Sequence, residues 1–421
     1  MAEKRKMPEI RFNGFEGEWE EKKITEISQV FIGLVTTMTT YYRNEGTLLI
    51  RNSDIKNNHF EFSENQIFLE EQFAEENSNR RLKTGDVVTV HTGDVGTSAV
   101  VTENENGAIG FATINTRPKK GLADSNYLSV YFNADEHKSF AIKMSTGDGR
   151  SNYNLKDFFE LFIPLPTLPE QTKIGTYFQN LDNLVSLQQR KYDKLLTVKK
   201  AMLEKMFPRD GADVPEIRFK DFEGKWEKKK LGDVIQCLTG GAAIKPEDYQ
   251  EEGIRTIPKG AVNSTGVADL AGSKFISEDF FRRNISNNVS TNSLVTSLRD
   301  LVPTAPNLGR IVRITGEQEV FLMPQGVYKI ELYKEYNDDF IITYSNSDIY
   351  RKIISAEKNG STQVHIRNGE YLSIGIPIPC FEEQCRLGHF FNQHDTLIAQ
   401  HQKELEKLKN LKKACLEKMF V

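Results

Sequence analysis

PLPTLPEQTKIGTYFQNLDNLVSLQQRKYDKLLTVKKAMLEKMFP, residues Pro164–Pro208, returns at the end of the chain as PIPCFEEQCRLGHFFNQHDTLIAQHQKELEKLKNLKKACLEKMFV, residues Pro377–Val421. Aligned 213 positions apart, the two copies share a Glu-Gln pair near their start and the string Leu-Glu-Lys-Met-Phe at their end. A repeat of this length indicates that the chain is built from two related halves.

Each copy predicts one long helix with an apolar stripe. The stripe residues alternate in steps of four and three over about five heptads, which is the spacing of a coiled-coil seam. Neither helix can bury such a stripe alone, so we expect the two copies to pair antiparallel as a rigid spacer between two globular bodies. The predicted seam residues are Ile174, Phe178, Leu181, Val185, Tyr192 and Leu195 in the first copy and Leu387, Phe391, Ile398, Leu405 and Leu408 in the second.

Polar residues interrupt the stripe at matching places in the two copies. Gln188 aligns with His401, and Lys199 aligns with Lys412. Polar groups on a seam cost stability but can fix its register. The interruptions therefore favour one definite pairing of the two helices.

A shorter repeat opens each half. Pro-Glu-Ile-Arg-Phe at 8–12 and Phe-Glu-Gly-Glu-Trp at 15–19 return at 215–219 and 222–226, with an offset of 207. Both tryptophans of the chain lie in this lead segment. Because the offset grows from 207 to 213 along the chain, the second body carries a net insertion of six residues.

The body between each lead and its helix has a residue pattern that predicts strands and turns. Short β-branched and aromatic runs alternate with Gly, Asn and Asp clusters, and helical pieces are predicted at 135–145 and 340–357. The predicted fold class is therefore α+β, with two bodies, two long antiparallel coiled-coil helices and a pseudo-two-fold internal repeat. The predicted division is 1–166 for the first body with its lead, 167–207 for the first helix, 208–379 for the second body with its lead, and 380–421 for the second helix.

Composition is that of a globular protein without a membrane span. The chain has 421 residues, 38% hydrophobic and 27% charged, with a formal net charge of −4. No apolar run is long enough for a transmembrane helix, the N-terminus lacks the apolar core of a signal peptide, and four irregularly spaced cysteines make no disulfide framework. We expect a cytoplasmic protein with reduced thiols. The charge does not by itself favour nucleic-acid binding, although a local basic cleft can supply phosphate contacts.

Motifs for catalysis, cofactors and metals are missing from the sequence. It has no phosphate-binding loop, no HExxH, no GxGxxG after a strand and no Asn/Asp-Pro-Pro-aromatic motif. His394 and His401 share a helix face, but their counterparts Leu181 and Gln188 offer no matching ligand. We therefore predict no catalytic residue, no metal site and no cofactor bound by this chain.

Basic and hydrogen-bonding residues cluster near predicted turns of both bodies. Arg, Asn and Gln read base edges bidentately, and Lys or Arg binds phosphate. Each residue alone is compatible with an ordinary solvated loop, but their recurrence at aligned loops favours DNA. The candidate DNA-binding residues are Arg51, Asn52, Arg81, Lys83, His91, Thr92, Arg117, Lys119, Arg150, Asn152 and Tyr153 in the first body, and Lys259, Arg282, Arg283, Arg299, Asn307, Arg310, Gln363, His365 and Arg367 in the second.

At this point the whole layout resembles the specificity (S) subunit of type I restriction–modification systems. The order of the motifs, repeated twice, carries the resemblance, whereas each motif alone is a modest signal. They are the lead Pro-x-Ile-Arg-Phe…Trp, Leu82-x-x-Gly85-Asp86-Val87, Gly360-Ser361-Thr362-Gln363, the helix entry 163–174 and its weaker copy 376–387. The sequence departs from the pattern where Gly147-Asp148-Gly149-Arg150 replaces the Gly-Ser-Thr-Gln turn in the first half and Asn292-Ser293 replaces Gly-Asp in the second.

The resemblance implies a non-catalytic subunit in which two target-recognition domains read a bipartite, asymmetric site on double-stranded DNA. It implies two methyltransferase subunits and two restriction subunits as partners, with S-adenosylmethionine, ATP and magnesium bound by those partners. The helices would set the spacer between the half-sites and provide a docking surface. The alternatives are a coiled-coil protein-interaction scaffold with two β-rich binding domains, and an autonomous nuclease or methyltransferase.

Overall fold

The structure is a computed structural model that describes residues 7–146, 151–361 and 363–420. The chain divides into two compact units, Met1–Arg190 with Lys403–Val421 and Lys191–Gln402. Each unit thus contains one body and stretches of both long helices. The four-segment division predicted from the sequence cuts the chain elsewhere and stays a prediction. Among the described residues, no helix has the length and apolarity needed to cross a membrane.

The first unit is built from short strands, short helices and parts of the two long helices. Its strands are β1 (Glu20–Lys23), β2 (Ser28–Ile32), β3 (Tyr42–Arg43), β4 (Thr47–Arg51), β5 (Ile55–Lys56), β6 (His59–Phe60), β7 (Phe68–Leu69), β8 (Val87–Val90), β9 (Ser98–Val100), β10 (Ile109–Phe111), β11 (Thr113–Pro118) and β12 (Phe162–Leu165). Its helices are α1 (Ile24–Ile27), α2 (Glu71–Glu76), α3 (Ser125–Phe132), α4 (Asp135–Met144), α5 (Leu155–Phe158) and α6 (Leu168–Lys205), which continues into the second unit. Single 3-10 turns lie at Thr39–Tyr41, Asn52–Asp54 and Ser78–Arg80.

The second unit is likewise built from short strands, short helices and parts of the two long helices. Its strands are β13 (Glu227–Lys230), β14 (Ile235–Gly240), β15 (Tyr249–Gln250), β16 (Ile254–Arg255), β17 (Phe275–Ile276), β18 (Asn288–Ser290), β19 (Leu294–Ser297), β20 (Arg299–Asp300), β21 (Ile311–Arg313), β22 (Val320–Leu322), β23 (Val327–Leu332), β24 (Val364–His365) and β25 (Gly375–Ile378). Its helices are α7 (Leu231–Val234), α8 (Glu278–Arg283), α9 (Asp338–Ser345), α10 (Asp348–Glu357), α11 (Asn368–Ser373) and α12 (Phe381–Met419), which ends in the first unit. Single 3-10 turns lie at Pro246–Asp248 and Ile285–Asn287.

The central sheets of the two bodies share one topology. Strand order is β2-β11-β8-β9 in the first unit and β14-β23-β19-β21 in the second, and all neighbours are antiparallel. A separate antiparallel pair joins β1 to β12 and, in the second unit, β13 to β25. The α+β fold class and the internal repeat are therefore confirmed, and the repeat extends through bodies whose sequences have diverged.

A second small sheet is also repeated. Its order is β10-β4-β7-β3 in the first unit and β15-β17-β16 in the second, where a parallel bridge from Thr256 to Leu322 adds β22. Gly46 and Gly253 occupy equivalent bends with φ of +123° and +131°. A Cβ there would lie 2.4 Å from the Leu69 carbonyl oxygen in one unit and 2.2 Å from that of Ile276 in the other. Only glycine fits such a bend.

One predicted helix is divided in the structure. The stretch predicted as a single helix over 340–357 forms α9 and α10, with a break at Asn346 and Ser347. The Ser347 side chain accepts a hydrogen bond from the Tyr350 backbone N–H, so it caps and starts a new helix. The helix predicted over 135–145 is α4.

Within each unit the long helices run antiparallel, as predicted. In the first unit Lys412 of α12 pairs with Asp182 of α6, and Gln188 donates to Glu404. In the second unit Lys199 of α6 pairs with Asp395 of α12, and Phe207, just after α6, stacks on Phe391 of α12. As numbers rise along one helix, the partners' numbers fall along the other. All eleven predicted seam residues are buried or half-buried.

The ends of the long helices fill the body cores. Phe207, just after α6, packs edge-on against Trp226 at a centroid distance of 6.0 Å in the second unit. Phe420, just after α12, packs edge-on against Trp19 at 6.3 Å in the first. The repeated Met-Phe string and the repeated tryptophan are therefore two halves of one core contact, which occurs once in each unit.

The glutamate of the repeated Glu-Gln pair binds the arginine of the lead segment. Arg11 Nε and Nη2 donate to Glu170 at 2.7 and 2.8 Å, and Arg218 donates to Glu383 in the same two-pronged way at 2.8 and 2.7 Å. The carboxylates are 0% and 1% exposed. Such bidentate pairs are strong and geometrically specific, so each lead is fixed against the start of a long helix.

The neighbouring glutamine ties the same helix to the body. Gln171 Oε1 accepts the Asp124 backbone N–H at 2.9 Å, and Gln384 Oε1 accepts that of Asn337 at 3.0 Å. Asp124 and Asn337 in turn cap the N-termini of α3 and α9 through their side chains. The Glu-Gln pair thus joins lead, helix and body at one point.

Replacing Glu383 by Ala is expected to cost the second unit about 3–5 kcal/mol of stability, because Arg218 is left as a mostly buried charge without its partner. Denaturant unfolding followed by Trp226 fluorescence, in a Trp19→Phe background, measures this unit alone. Glu382→Ala is the matched control, since its exposed side chain contributes less than about 1 kcal/mol through the helix dipole. Equal losses in the two variants would contradict the role given to Glu383.

Candidate nucleic-acid interface

In the first unit, the loop 91–97 between β8 and β9 is held against the segment that precedes α5. Thr92 Oγ1 donates to Asn152 Oδ1 at 2.9 Å, and the Tyr153 backbone N–H donates to the His91 carbonyl at 2.8 Å. These contacts bring together residues that are about 60 positions apart in the chain. Three of the predicted DNA-binding residues, His91, Thr92 and Asn152, therefore share one surface.

The second unit repeats this arrangement at aligned positions. In the loop 298–310 between β19 and β21, Arg299 pairs with His365 as β20 with β24. The Ile366 backbone N–H donates to the Leu298 carbonyl at 3.1 Å. The predicted residues Arg299 and His365 are thus neighbours, in the places that Thr92 and Asn152 occupy in the first unit.

A glycine docks the far end of each loop on a helix. Gly96 and Gly309 have φ of +85° and +70°. A Cβ on Gly96 would lie 3.2 Å from Ala141 Cβ on α4, and one on Gly309 would lie 2.7 Å from Ile354 Cδ1 on α10. Each loop is therefore anchored at both ends, largely by backbone contacts.

The two loops differ in length. Seven residues, 91–97, connect β8 to β9, whereas thirteen, 298–310, connect β19 to β21. The insertion inferred from the changing repeat offset therefore lies in this loop. The two units therefore carry loops of different length, with different side chains, on equivalent sheets.

Exposed members of the predicted set surround the loop of the second unit. Arg299, Gln363, His365 and Arg367 are exposed, and Arg367 makes only a loose ion pair of 3.8 Å with Glu370. The Asn307 backbone N–H donates to Asp300 Oδ2 at 3.3 Å. Lys83 and Lys259 are exposed on other turns. Their contact with DNA stays a prediction.

Three predicted arginines of the first unit are engaged inside the protein. Each forms an ion pair with a carboxylate, and each of these arginine side chains is less than a third exposed. The pairs are Arg51 with Asp54 at 2.8 Å, Arg81 with Glu71 at 2.5 Å and Arg117 with Asp86 at 2.6 Å. These ion pairs support the fold, and they leave the arginines little free charge with which to bind a phosphate.

Other predicted residues have structural contacts as well. The Asn52 amide donates to the carbonyls of Phe111 and Ala112, and Lys119 Nζ donates to those of Thr25 and Glu26. Tyr153 is fully buried, so it is a core residue and not a surface contact. Arg282 pairs with Glu278, Arg283 lies over the Phe280 ring, and Arg310 binds the Pro306 carbonyl and the Asn346 side chain. Arg150 lies outside the described residues.

Two cations near the loop of the second unit were not predicted. Arg351 Nη1 and Nη2 donate to the carbonyls of Leu308 and Ala305 at 2.5 and 3.0 Å, and Lys358 Nζ donates to that of Pro303 at 2.8 Å. Arg351 lies within the stretch predicted as a helix over 340–357, and Lys358 directly follows it. Charged residues in such places are normally solvated, so neither was expected to contact the loop. Their spacing of seven, which places them on one helix face, is the sequence signal that could have identified them.

Burial lowers the pKa of two histidines of the first unit. Burial lowers the pKa of His91, whose Nδ1 lies 2.8 Å from Thr92 Oγ1. His137 of α4 is fully buried under Gly96, and burial lowers its pKa to about 4. The loop 91–97 therefore rests on an uncharged imidazole.

His137 is expected to make the first unit less stable in acid. Its folded pKa of about 4 lies below the ordinary 6.5, so the unfolded chain binds the proton more tightly and stability is lost as pH falls from about 6.5 to about 4. The expected loss is about 3 kcal/mol. Unfolding followed by Trp19 fluorescence in a Trp226→Phe background should show this loss, and His137→Gln should remove it.

The exposed histidine His59 is the control for that measurement. His59→Gln should keep the pH dependence of the parent protein. A pH dependence that survives in His137→Gln would show that other groups of the unit cause it.

Within the described part of the chain, no three His, Cys, Asp or Glu side chains are grouped to hold a metal ion. The four cysteines are free thiols. Two features stand out. The loops 91–97 and 298–310 occupy equivalent places on a duplicated α+β frame, and the long helices run antiparallel.

Comparison with known proteins gives this arrangement a family. The family described as "Type I restriction modification DNA specificity domain" matches residues 16–197 and again residues 223–410. The chain therefore belongs to this family and carries its DNA specificity domain twice, so it is a DNA-recognition subunit of the type I restriction–modification class. The resemblance seen in the sequence is confirmed.

Individual relatives agree with the family. The chain is 24% identical over 315 residues, 73% of its length and 72% of the relative's, to the type I restriction enzyme MjaVIII specificity subunit of Methanocaldococcus jannaschii. It is also 24% identical over 302 residues to the putative MjaX specificity subunit of the same organism, covering 70% of this chain and 67% of that one. The crystal structure of the type I restriction–modification S subunit from M. genitalium has the same fold, with a TM-score of 0.60, 15% identity and 99% of both chains covered.

Proposed function

We propose that the two units each read one half of a bipartite, asymmetric site on double-stranded DNA. The chain would act as two target-recognition domains joined by the long helices, with the paired loops as the reading surfaces. The proposed contacts come from His91, Thr92 and Asn152 in the first unit. In the second they come from the exposed residues around the loop 298–310.

One observation carries this proposal. Equivalent positions on equivalent frames hold different side chains, Thr92 with Asn152 in one unit and Arg299 with His365 in the other. A frame that repeats while the side chains at its loops change is suited to reading two different sequences. Asymmetry of the half-sites follows from this difference.

The proposed partners are those of a type I restriction–modification complex. We infer that the chain directs two methyltransferase subunits and two restriction subunits to the DNA site, in the cytoplasm. S-adenosylmethionine, ATP and magnesium would be bound by these partners. Because the chain's net charge is −4, a share of the phosphate-binding surface would come from the methyltransferases.

Substituting the reading residues of one unit is expected to change one half-site only. Gln363→Ala with His365→Ala should alter or abolish recognition of one half-site, because both side chains are exposed and their removal leaves the fold intact. Thr92→Ala with Asn152→Ala should affect the other half-site. Methylome sequencing of cells that carry each variant with the methyltransferase partner measures this directly.

Lys220→Ala provides the control, since Lys220 is exposed in the second lead segment. It should leave the methylated sequence unchanged. An unchanged methylome in both double variants would contradict the assignment of the loops. Failure of the parent complex to methylate or capture any specific duplex would favour the protein-interaction scaffold instead.

Lengthening both helices by one heptad is expected to change the spacer and not the half-sites. Seven residues inserted after Arg190 and seven after Gln402 keep the seam in phase. They add about 10 Å of helix, which corresponds to about three base pairs of DNA. The methylome should therefore show the same half-sites at a longer spacing.

An insertion of equal length after Gly211 is the control for the spacer experiment. This position lies in the exposed loop 209–214 between α6 and the second lead. It should leave the spacer unchanged. A heptad variant that methylates the original site would refute the role of the helices as a ruler.

A further inference from the structure

The inserted loop of the second unit closes over a group of cations. Arg310, Arg351 and Lys358 line a cavity of about 210 Å³, together with Ser355 and part of the loop 298–310. Arg310 comes from the end of the loop, Arg351 from α10, and Lys358 follows α10. Their charges thus converge from different parts of the unit on one hollow.

Backbone carbonyls and the Asn346 side-chain amide, not carboxylates, hold these cations in place. Arg310 Nε donates to the Pro306 carbonyl at 2.8 Å, and the Arg351 and Lys358 head groups donate to carbonyls of the same loop, as described above. Among the described residues, none of the three forms an ion pair. The hollow therefore keeps a net positive charge.

The environment is unfavourable for positive charge in the absence of an anion. Burial, followed by repulsion from Arg351, lowers the pKa of Arg310 to about 10. Burial also lowers the pKa of Arg351. Asp348 and Asp300 supply only longer-range attraction, and Asp300 also accepts hydrogen bonds from the loop backbone. An anion in the hollow would relieve this repulsion.

Among the described residues of the first unit, the aligned positions hold no counterpart of this group. The residues aligned with Arg310, Arg351 and Lys358 are Thr97, Lys138 and Ser145, and each makes a local hydrogen bond. Thr97 binds Asp94, Lys138 binds Asn57, and Ser145 binds the Ala141 carbonyl. The cation group therefore accompanies the longer loop of the second unit and is not a feature that the two units share.

The hollow adjoins the reading surface of the second unit. The loop 298–310 begins beside Arg299, which pairs with His365, and ends at Arg310. Lys358 directly precedes Asn359, whose backbone exchanges hydrogen bonds of 2.8 and 2.9 Å with His365. An anion held in the hollow would thus lie next to bases read at Arg299 and His365.

We propose that the inserted loop makes a phosphodiester-binding pocket from Arg310, Arg351 and Lys358, which anchors the DNA backbone beside the half-site read by the second unit. The proposal rests on the proposed DNA-reading function and adds a contact that the first unit does not make. One half-site would consequently be held more tightly than the other. Phosphate contacts of this kind position a reader on the duplex without specifying sequence.

The test is a scan with neutral methylphosphonate linkages, placed one at a time along both half-sites of the methylated sequence. The parent complex with its methyltransferase partner should lose about tenfold in affinity at one linkage beside the second unit's half-site. Lys358→Gln should also weaken binding to unmodified DNA by about tenfold. Placing the neutral linkage at that position should cause no further loss of affinity in this variant. The salt dependence of its binding should be less steep by about 0.9 in the log–log slope.

Lys220→Gln is the matched control and should behave as the parent protein at every linkage. All three cations also hold the loop in place, but Lys358 donates one hydrogen bond, to the Pro303 carbonyl, whereas Arg310 and Arg351 each donate two. Lys358 is therefore the variant of choice, and Arg351→Lys, which keeps the charge, should retain most of the parent's affinity. The pocket proposal is overturned if the parent binds its site specifically but no neutral linkage has an effect that disappears in Lys358→Gln. The DNA-reading function would still stand in that case. Stabilisation of the second unit by inorganic phosphate without such coupling identifies a free-anion site, which also overturns the proposal.

Discussion

A buried carboxylate at the start of each long helix holds the rest of the structure in place. Burying Glu170 and Glu383 carries a large desolvation cost, and the bidentate Arg11 and Arg218 side chains offset it. The adjoining glutamines bind the N-termini of α3 and α9. Lead, body and helix therefore form one unit through two consecutive residues, which explains why the Glu-Gln pair survives in both copies while the residues around it change.

The repeat and the 3.5-residue stripe were sufficient to predict the long antiparallel helices and the α+β class. Both signals are local and periodic. The shared sheet order was not predictable, because the described strands of the bodies have only two to six residues and their pairing joins distant segments. The break between α9 and α10 shows the same limit, since Ser347 is a helix cap only when the neighbouring turn permits it.

The candidate site was predictable as a set of loops but not residue by residue. The sequence indicates that basic and amide residues recur at aligned turns, yet Arg117 is neutralised by Asp86, which lies 31 positions away. Nothing local distinguishes such an arginine from Arg299, which is exposed. Conversely, Arg351 and Lys358 gain their proposed role only because an inserted loop folds over them, and that is a tertiary contact.

The anchoring of the loops explains how two related bodies can differ in what they read. Each loop is fixed by backbone hydrogen bonds at one end and by a glycine against a helix at the other. Apart from the Thr92–Asn152 hydrogen bond of the first unit, neither anchor uses the side chains between them, so these residues and the loop length can change at little cost to the fold. The seam and the Glu-Gln junction lie outside the loops. Changes in recognition are therefore separated from the contacts that hold each unit together.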